Sequence, residues 1–242
     1  MNYALIFAGG VGQRMNTVSL PKQFLRVHGK PIIVHTIEHF QKCSEIDKII
    51  VVCVSEFLDY MKTIKEEFVL SKISDIVPGG NCGQESIYNG LVAISKYKPS
   101  DNDIVLIHDG VRPIIDQETI LKNIQCVKKN GNCVTVAKAI ETVLVLENMG
   151  VNSIIDREKC YLGRAPQSFL FNDIFQAHKK AQQEEKYNFI DSAMLMDYFG
   201  YTIHTVLGPQ NNIKVTTPMD YYMLRAILDM KENEQIKVNL NE

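Results

Sequence analysis

The residues best suited to chemistry lie near the start of the chain, in Gly9-Gly10-Val11-Gly12-Gln13-Arg14. Glycines let a backbone approach a ligand closely and turn several N–H groups towards it, which suits a polyphosphate. Arg14, and Lys22 within Leu20-Pro21-Lys22-Gln23-Phe24, add side-chain charge for the same ligand. The spacing is not that of a P-loop, which needs G-x-x-x-x-G-K-[ST]. Nor is it a dinucleotide fingerprint, because Arg14 stands near the place of the third glycine. A tight strand-to-helix turn would account for the glycines alone. With Arg14 and the Leu20 to Phe24 run added, a triphosphate site holding a nucleotide is the better reading.

Three other segments carry candidate chemistry. Asp109 follows the apolar run Ile104-Val105-Leu106-Ile107-His108, at the carboxyl end of a strand, where open α/β sheets bind their ligands. A carboxylate there can hold Mg²⁺ against a triphosphate as a hard oxygen ligand; the plainer alternative is a turn cap paired with Arg112. Gly79-Gly80-Asn81, leading to Ser86, can bring backbone, amide and hydroxyl groups to a base or ribose, or can be a simple loop. Lys214 sits between Ile213 and Val215 in an expected short strand, where its ammonium either lies over a phosphate or faces solvent. His35 and His39 share a helix face at i and i+4, but without an H-E-x-x-H context or a third ligand they read as a solvated or half-buried face. No Gly-x-Ser-x-Gly elbow points to covalent catalysis.

These groups need elements to place them. Residues 3–8 read as an apolar strand that empties into the glycines, and 48–54 as a β-branched strand covered on both faces. Strands at 73–77 and 103–108 alternate with helices at 31–43, 56–68, 84–97 and 116–129. That rhythm predicts a doubly wound, mostly parallel sheet of the α/β class. After Gly131 come strands at 133–137, 142–147 and 151–156, the last two forming a projecting β-hairpin arm about the turn at Asn148-Met149-Gly150. Helices at 172–185 and 192–200, a strand at 201–207 and a closing helix at 218–231 complete a single domain over 1–231, its arm at about 138–163. Residues 232–242 read as a polar, fraying tail.

Composition bounds the function. The 242 residues are 45% hydrophobic and 22% charged, enough for a sizeable core, and a net charge of −2 without a basic run argues against nucleic-acid binding. The six cysteines form no C-x-x-C pair, so they read as reduced, buried residues of an intracellular protein. No leader and no membrane-length apolar run is evident, which makes a soluble cytoplasmic protein the expectation.

Taken in order, the motifs resemble the cytidylyltransferases that activate sugar-alcohol phosphates, those of methylerythritol 4-phosphate and of ribitol 5-phosphate. The markers are residues 8–15, Pro21-Lys22-Gln23-Phe24, His108-Asp109-Gly110-Val111-Arg112-Pro113, Ala165-Pro166-Gln167-Ser168-Phe169 and Ile213-Lys214-Val215-Thr216. The resemblance implies a Rossmann-like nucleotidyltransferase fold and transfer of CMP from CTP to a polyol phosphate, with release of pyrophosphate. By similarity, Arg14, Lys22 and Lys214 are catalytic cations. Ala8, Gly9, Gly10, Gly12, Gly80, Asn81, Ser86, Asp109 and Gly110 hold the nucleotide. Asp109, Arg112, Thr142 and Arg157 meet the acceptor, the last two from the arm across a homodimer, and Asp109 holds Mg²⁺. Gly83, Ala165 and Glu141 stand where the family pattern has arginine, threonine and aspartate. The Leu-Pro-Lys-Gln-Phe run and Gly163 favour the ribitol-phosphate branch over methylerythritol phosphate. A sugar-1-phosphate nucleotidyltransferase using UTP or GTP and a non-catalytic nucleotide-binding module are the rival readings.

Overall fold

The computed structural model describes residues 1–8 and 20–238, the segment 234–238 by its backbone alone. Gly9, Gly10, Gly12 and Arg14 lie outside the described residues. In chain order the elements are β1 (Asn2–Ala8), β2 (Arg26–Val27), β3 (Lys30–Pro31), α1 (Ile32–Lys42), β4 (Lys48–Cys53), α2 (Leu58–Glu67), β5 (Ile73–Pro78), α3 (Gly83–Ser95) and β6 (Ile104–Asp109). There follow α4 (Gln117–Asn130), β7 (Asn132–Lys138), β8 (Val143–Glu147), β9 (Gly150–Ile155), β10 (Tyr161–Leu170), α5 (Phe171–Gln183), α6 (Ser192–Tyr198), β11 (Thr205–Leu207) and α7 (Pro218–Val238).

Seven strands form one sheet in the order β11-β7-β10-β6-β1-β4-β5. Every pairing is parallel except those of β10, which runs antiparallel to both β6 and β7. The period-2 alternation of β1 sends Ala4 and Ile6 to one face and Tyr3 and Leu5 to the other. The first face packs on α1, α2 and α4, through Ile37, Met61 and Ile124 among others. The second packs on α3, α5 and α6, through Leu91, Ile174 and Leu195. Helices on both faces of a mostly parallel sheet are the expected α/β architecture, and they explain why β1 and β4 carry near-continuous apolar runs. Gly90 lets α3 sit close to β1, since a Cβ there would lie 2.7 Å from Leu5 Cδ1.

The chain winds outward from β1 through β4 to β5, then returns through α3 to β6 on the other side of β1. The carboxyl ends of β1, β5 and β6 therefore surround a switch point, the place where open α/β sheets form ligand crevices. The arm is the two-stranded antiparallel sheet β8–β9, largely exposed.

Three elements depart from the sequence-based expectation. β10 has no expected counterpart, because Pro166 lacks an N–H and argues against a strand. A register shift between Gly163 and Gln167 lets the proline pass, and the Thr135 hydroxyl donates to its carbonyl at 2.8 Å. The short strand expected around Lys214 does not form; residues 212–216 run irregularly. The closing helix continues through the polar stretch after Lys231 to Val238. Cys82 departs too, being exposed where a buried thiol is expected, while Cys43, Cys53 and Cys133 are buried.

Candidate active site

Two adjoining cavities open at the switch point. The larger, about 740 Å³, is bounded by Ala8 at the end of β1, by Lys22, by the 79–83 loop after β5, and by Asp109 and Lys214. The smaller, about 310 Å³, runs between α3, β10 and the start of α6. Phe7, Gly83, Asp109 and Lys214 border both, so the two chambers share one mouth.

Asp109 is the centre of charge there. It is nearly buried, with Lys214 Nζ 2.6 Å from Oδ1 and Arg112 Nε 2.8 Å from Oδ2. Burial alone would push its carboxyl up, but the Lys214 ammonium and the Arg112 guanidinium outweigh it and hold the group ionised below its ordinary range. The neighbouring His108 is pushed down to about 4 by burial and is neutral. Lys214 is half-exposed and reaches the centre because its irregular segment is tied on both sides. Val215 N–H donates to Val111 O at 2.9 Å, and the Asn212 amide donates to Ala165 O at 3.2 Å. Asp220 then accepts from the N–H groups of Thr216 and Thr217 and anchors the start of α7.

Lys22 enters through a single 3₁₀ turn, Lys22–Phe24. Buried Gln23 donates to Ala8 O at 2.7 Å, and Phe24 packs among Phe57 and Tyr60 in the core. The lysine is thereby fixed beside the end of β1. On the opposite wall, Gly80 N–H donates to Ser86 Oγ at 3.0 Å, and both the N–H and the side-chain amide of Asn81 donate to Glu85 Oε2, at 2.7 and 3.0 Å. A Cβ at Gly80 would lie 2.3 Å from Glu85 Cγ, so a larger residue there would displace the Glu85 side chain that holds the loop. Ser86 and Glu85 shape this loop, which lines the larger cavity.

The structure thus gathers Ala8, Lys22, Gly80, Asn81, Ser86, Asp109 and Lys214 around one cleft, with Arg112 in the adjoining chamber. Gly110 is different. It is buried behind the cleft, its N–H donating to Phe7 O at 3.0 Å and its Cα facing Ala8, so it packs β6 against β1 and lines neither cavity. Thr142 and Arg157 also line neither. They are exposed on and beside the arm, with the Arg157 guanidinium 3.5 Å from Ile140 O. His35 and His39 make no metal pair; His35 bonds Val27 O, and burial pushes His39 down to about 4. Sequence reasoning missed Glu85, whose signal is Cys82-x-x-Glu85 at a helix start, with Cys82 Sγ accepting from Glu85 N–H. It also assigned no role to Gln167, although that residue lay within a quoted motif.

The family model of 2-C-methyl-D-erythritol 4-phosphate cytidylyltransferase (IspD) matches residues 3–230. The chain belongs to this family. It is accordingly a cytidylyltransferase, one of the nucleotidyltransferases. A ribitol-5-phosphate cytidylyltransferase of Streptococcus agalactiae serotype V is 49% identical over 98% of this chain and 98% of its own. A 2-C-methyl-D-erythritol 4-phosphate cytidylyltransferase of Clostridium botulinum is 34% identical over 94% of this chain and 97% of its own. Among solved structures, the 4-diphosphocytidyl-2C-methyl-D-erythritol synthase of Anaerococcus prevotii superposes with a TM-score of 0.80 at 28% identity, covering 94% of this chain and 96% of its own. The superposition over nearly the whole of both chains shows that the α/β fold described above is the fold of that structure.

Proposed function

We propose that the chain transfers a cytidylyl group from CTP to ribitol 5-phosphate, giving CDP-ribitol and pyrophosphate. The observation that carries this reading is the 49% identity, over almost the whole of both chains, to a relative named for ribitol 5-phosphate. A methylerythritol 4-phosphate acceptor is the second reading, favoured by the name of the matching family and by the relative that is 34% identical.

The geometry supports a division of labour. The larger cleft takes CTP, with the base and ribose against Gly80, Asn81 and the α3 start, and the triphosphate towards Ala8, Lys22 and Lys214. Arg14 and the Gly9, Gly10 and Gly12 backbone are proposed to cradle the same phosphates. A phosphate oxygen of the acceptor attacks the α-phosphorus of CTP. The bond from that phosphorus to the bridging oxygen breaks, and pyrophosphate leaves with the electron pair. Such transfer depends on positioning and on cations aimed at the developing charge. Lys22, Lys214 and Arg14 supply them, and Asp109 keeps Lys214 in place.

A cation such as Mg²⁺ fits this centre as one that arrives with its nucleotide. Among the described residues no cluster of three acidic, histidine or cysteine ligands exists. Asp109 is a single hard oxygen donor whose oxygens each keep a lone pair after binding Lys214 and Arg112, and Mg²⁺ is commonly held by one or two carboxylates plus substrate phosphates. Asp109 would hold the ion, which would neutralise phosphate charge.

The arm is proposed to make a homodimer. Leu146, Met149 and Ile154 are 61%, 97% and 66% exposed on one small hairpin, an apolar surface that a second copy would cover. Thr142 and Arg157 would then meet the acceptor of the partner subunit. The described residues contain no helix long and apolar enough to cross a membrane, and the cytoplasm, where CTP is at hand, is the compartment this reading requires.

Pyrophosphate release with CTP, Mg²⁺ and ribitol 5-phosphate, with the nucleotide product identified by mass, tests the proposal. CDP-ribitol formed faster than the methylerythritol product is expected. Turnover with methylerythritol 4-phosphate alone would transfer the chain to the second reading, and UTP outrunning CTP would remove both.

A further inference from the structure

The two lysines that border the larger cleft come from opposite ends of the chain, Lys22 ahead of β2 and Lys214 ahead of α7. Neither stands on a strand of the seven-stranded sheet, so the sheet alone does not fix their separation. The first turn of α7 joins the two segments, because its Asp220 bonds one and its Tyr221 the other.

Asp220 Oδ2 accepts three hydrogen bonds, from the N–H and the hydroxyl of Thr216 at 2.8 Å each and from Thr217 N–H at 2.7 Å. Burial alone would raise its carboxyl, but these bonds outweigh it and hold the group ionised below its ordinary range. Hydrogen bonds to a charged acceptor are stronger than neutral ones. Between Lys214 and Thr216, Val215 is buried, its N–H on Val111 O at 2.9 Å. The backbone that carries Lys214 is thus pinned on its far side by a charge. Tyr221 bonds the other segment, its hydroxyl donating to Arg26 O at 2.8 Å. The preceding residue, Leu25, caps the turn of Lys22 and donates its N–H to Lys22 O at 3.2 Å. Apolar packing closes the joint, with Val27 and Ile32 from one segment, Val215 from the other and Leu224 of α7 in one buried cluster.

We infer that the first turn of α7 is a brace that sets Lys22 and Lys214 at one separation across the triphosphate, with Asp220 and Tyr221 as its positioning residues. The inference rests on the proposed role of both lysines in cytidylyl transfer and adds the device that keeps their spacing. A cation aimed at developing charge acts fully only from a preorganised place. Misplacing a catalytic group by about 1 Å can cost about 10²-fold in rate.

Pyrophosphate release by the full chain with CTP, Mg²⁺ and ribitol 5-phosphate, corrected for folded fraction, tests it. Y221F keeps the ring in its cluster and loses only the hydroxyl, so kcat is expected to fall about fivefold, the value of one neutral hydrogen bond. D220A is expected to lose about tenfold or more, and D220N, which keeps an acceptor oxygen, less than D220A. A merely structural role would lower the melting temperature and leave kcat per folded molecule unchanged. Action through the lysines also makes the losses non-additive: Y221F should cost the K22A variant nothing further, and D220A should cost the K214A variant nothing further. Losses as large in the lysine variants as in the unaltered chain overturn the inference. So does a kcat within about twofold of the unaltered chain in either Y221F or D220A. Absence of turnover by the unaltered chain instead removes the proposed function. Hydrogen exchange then decides the brace separately: faster exchange of Leu25 N–H in Y221F and of Val215 N–H in D220A sustains it, and unchanged exchange in either variant overturns it.

Discussion

At the scale of single residues, the proposed reaction centre is a carboxylate held between two cations. Asp109 is kept ionised by Lys214 and Arg112 despite its burial, so it stays a base for metal or lysine far below neutral pH. Lys214 is the more exposed of the two cations and the one bordering both cavities, so it can leave Asp109 for a phosphate oxygen as charge develops. Removing a donor that acts mainly in the transition state lowers kcat by about 10²–10³. Lys214→Ala is accordingly expected to lose kcat on that scale, with the melting temperature nearly kept because Val215 still bonds Val111. A kcat within about threefold of the unaltered chain, in steady-state rates corrected for folded fraction, would deny Lys214 that role.

At the scale of elements, the position of α3 governs one wall of the cleft, the proposed nucleotide wall, because its first turn carries Gly83 and Gln84 into the cavities while Glu85 and Ser86 hold the preceding loop. Gly90 sets how near α3 lies to β1. Gly90→Ala would place a methyl 2.7–2.9 Å from Leu5 and Val52 side chains, and overpacking of this kind costs about 1–3 kcal/mol. A fall in melting temperature, accompanied by a raised KM for CTP as the loop shifts, is expected; thermal unfolding and kinetics check the two together. The sequence made most of this layer legible, since the apolar runs of β1, β4 and β6 and the helical spacing of Ile87, Leu91 and Ile94 follow directly from the two periodicities. What it hid has physical causes. β10 breaks the pairing rule at Pro166 and recovers it through a bulge, which no local pattern announces. Lys214 shows the alternation of a strand but lies in a segment held by only a few bonds. The smaller chamber is assembled from the ends of β1 and β6, from α3, β10 and the start of α6, and from the Lys214 segment, parts distant in sequence, so it becomes visible only once the chain has folded.

At the scale of the whole molecule, the proposed homodimer decides which protomer completes the proposed acceptor site. Arg112 lines the smaller chamber of its own chain, whereas Arg157 and Thr142 stand on and beside an arm whose exposed apolar side chains invite a second copy. A two-fold dimer would place each arm over the partner's cleft, so every site would use Lys214 from one chain and Arg157 from the other. Mixing two defective variants separates the possibilities. Lys214→Ala and Arg157→Ala are each expected to be poorly active alone, the second through a raised acceptor KM. After random exchange, half of the dimers contain one of each. In those, the site with an intact Lys214 receives an intact Arg157, so about a quarter of all sites recover full function. Recovery towards that level, rising with protein concentration as dimers form, supports sharing between subunits. A mixture no more active than the mean of its two components would assign Arg157 to its own chain and detach the arm from catalysis.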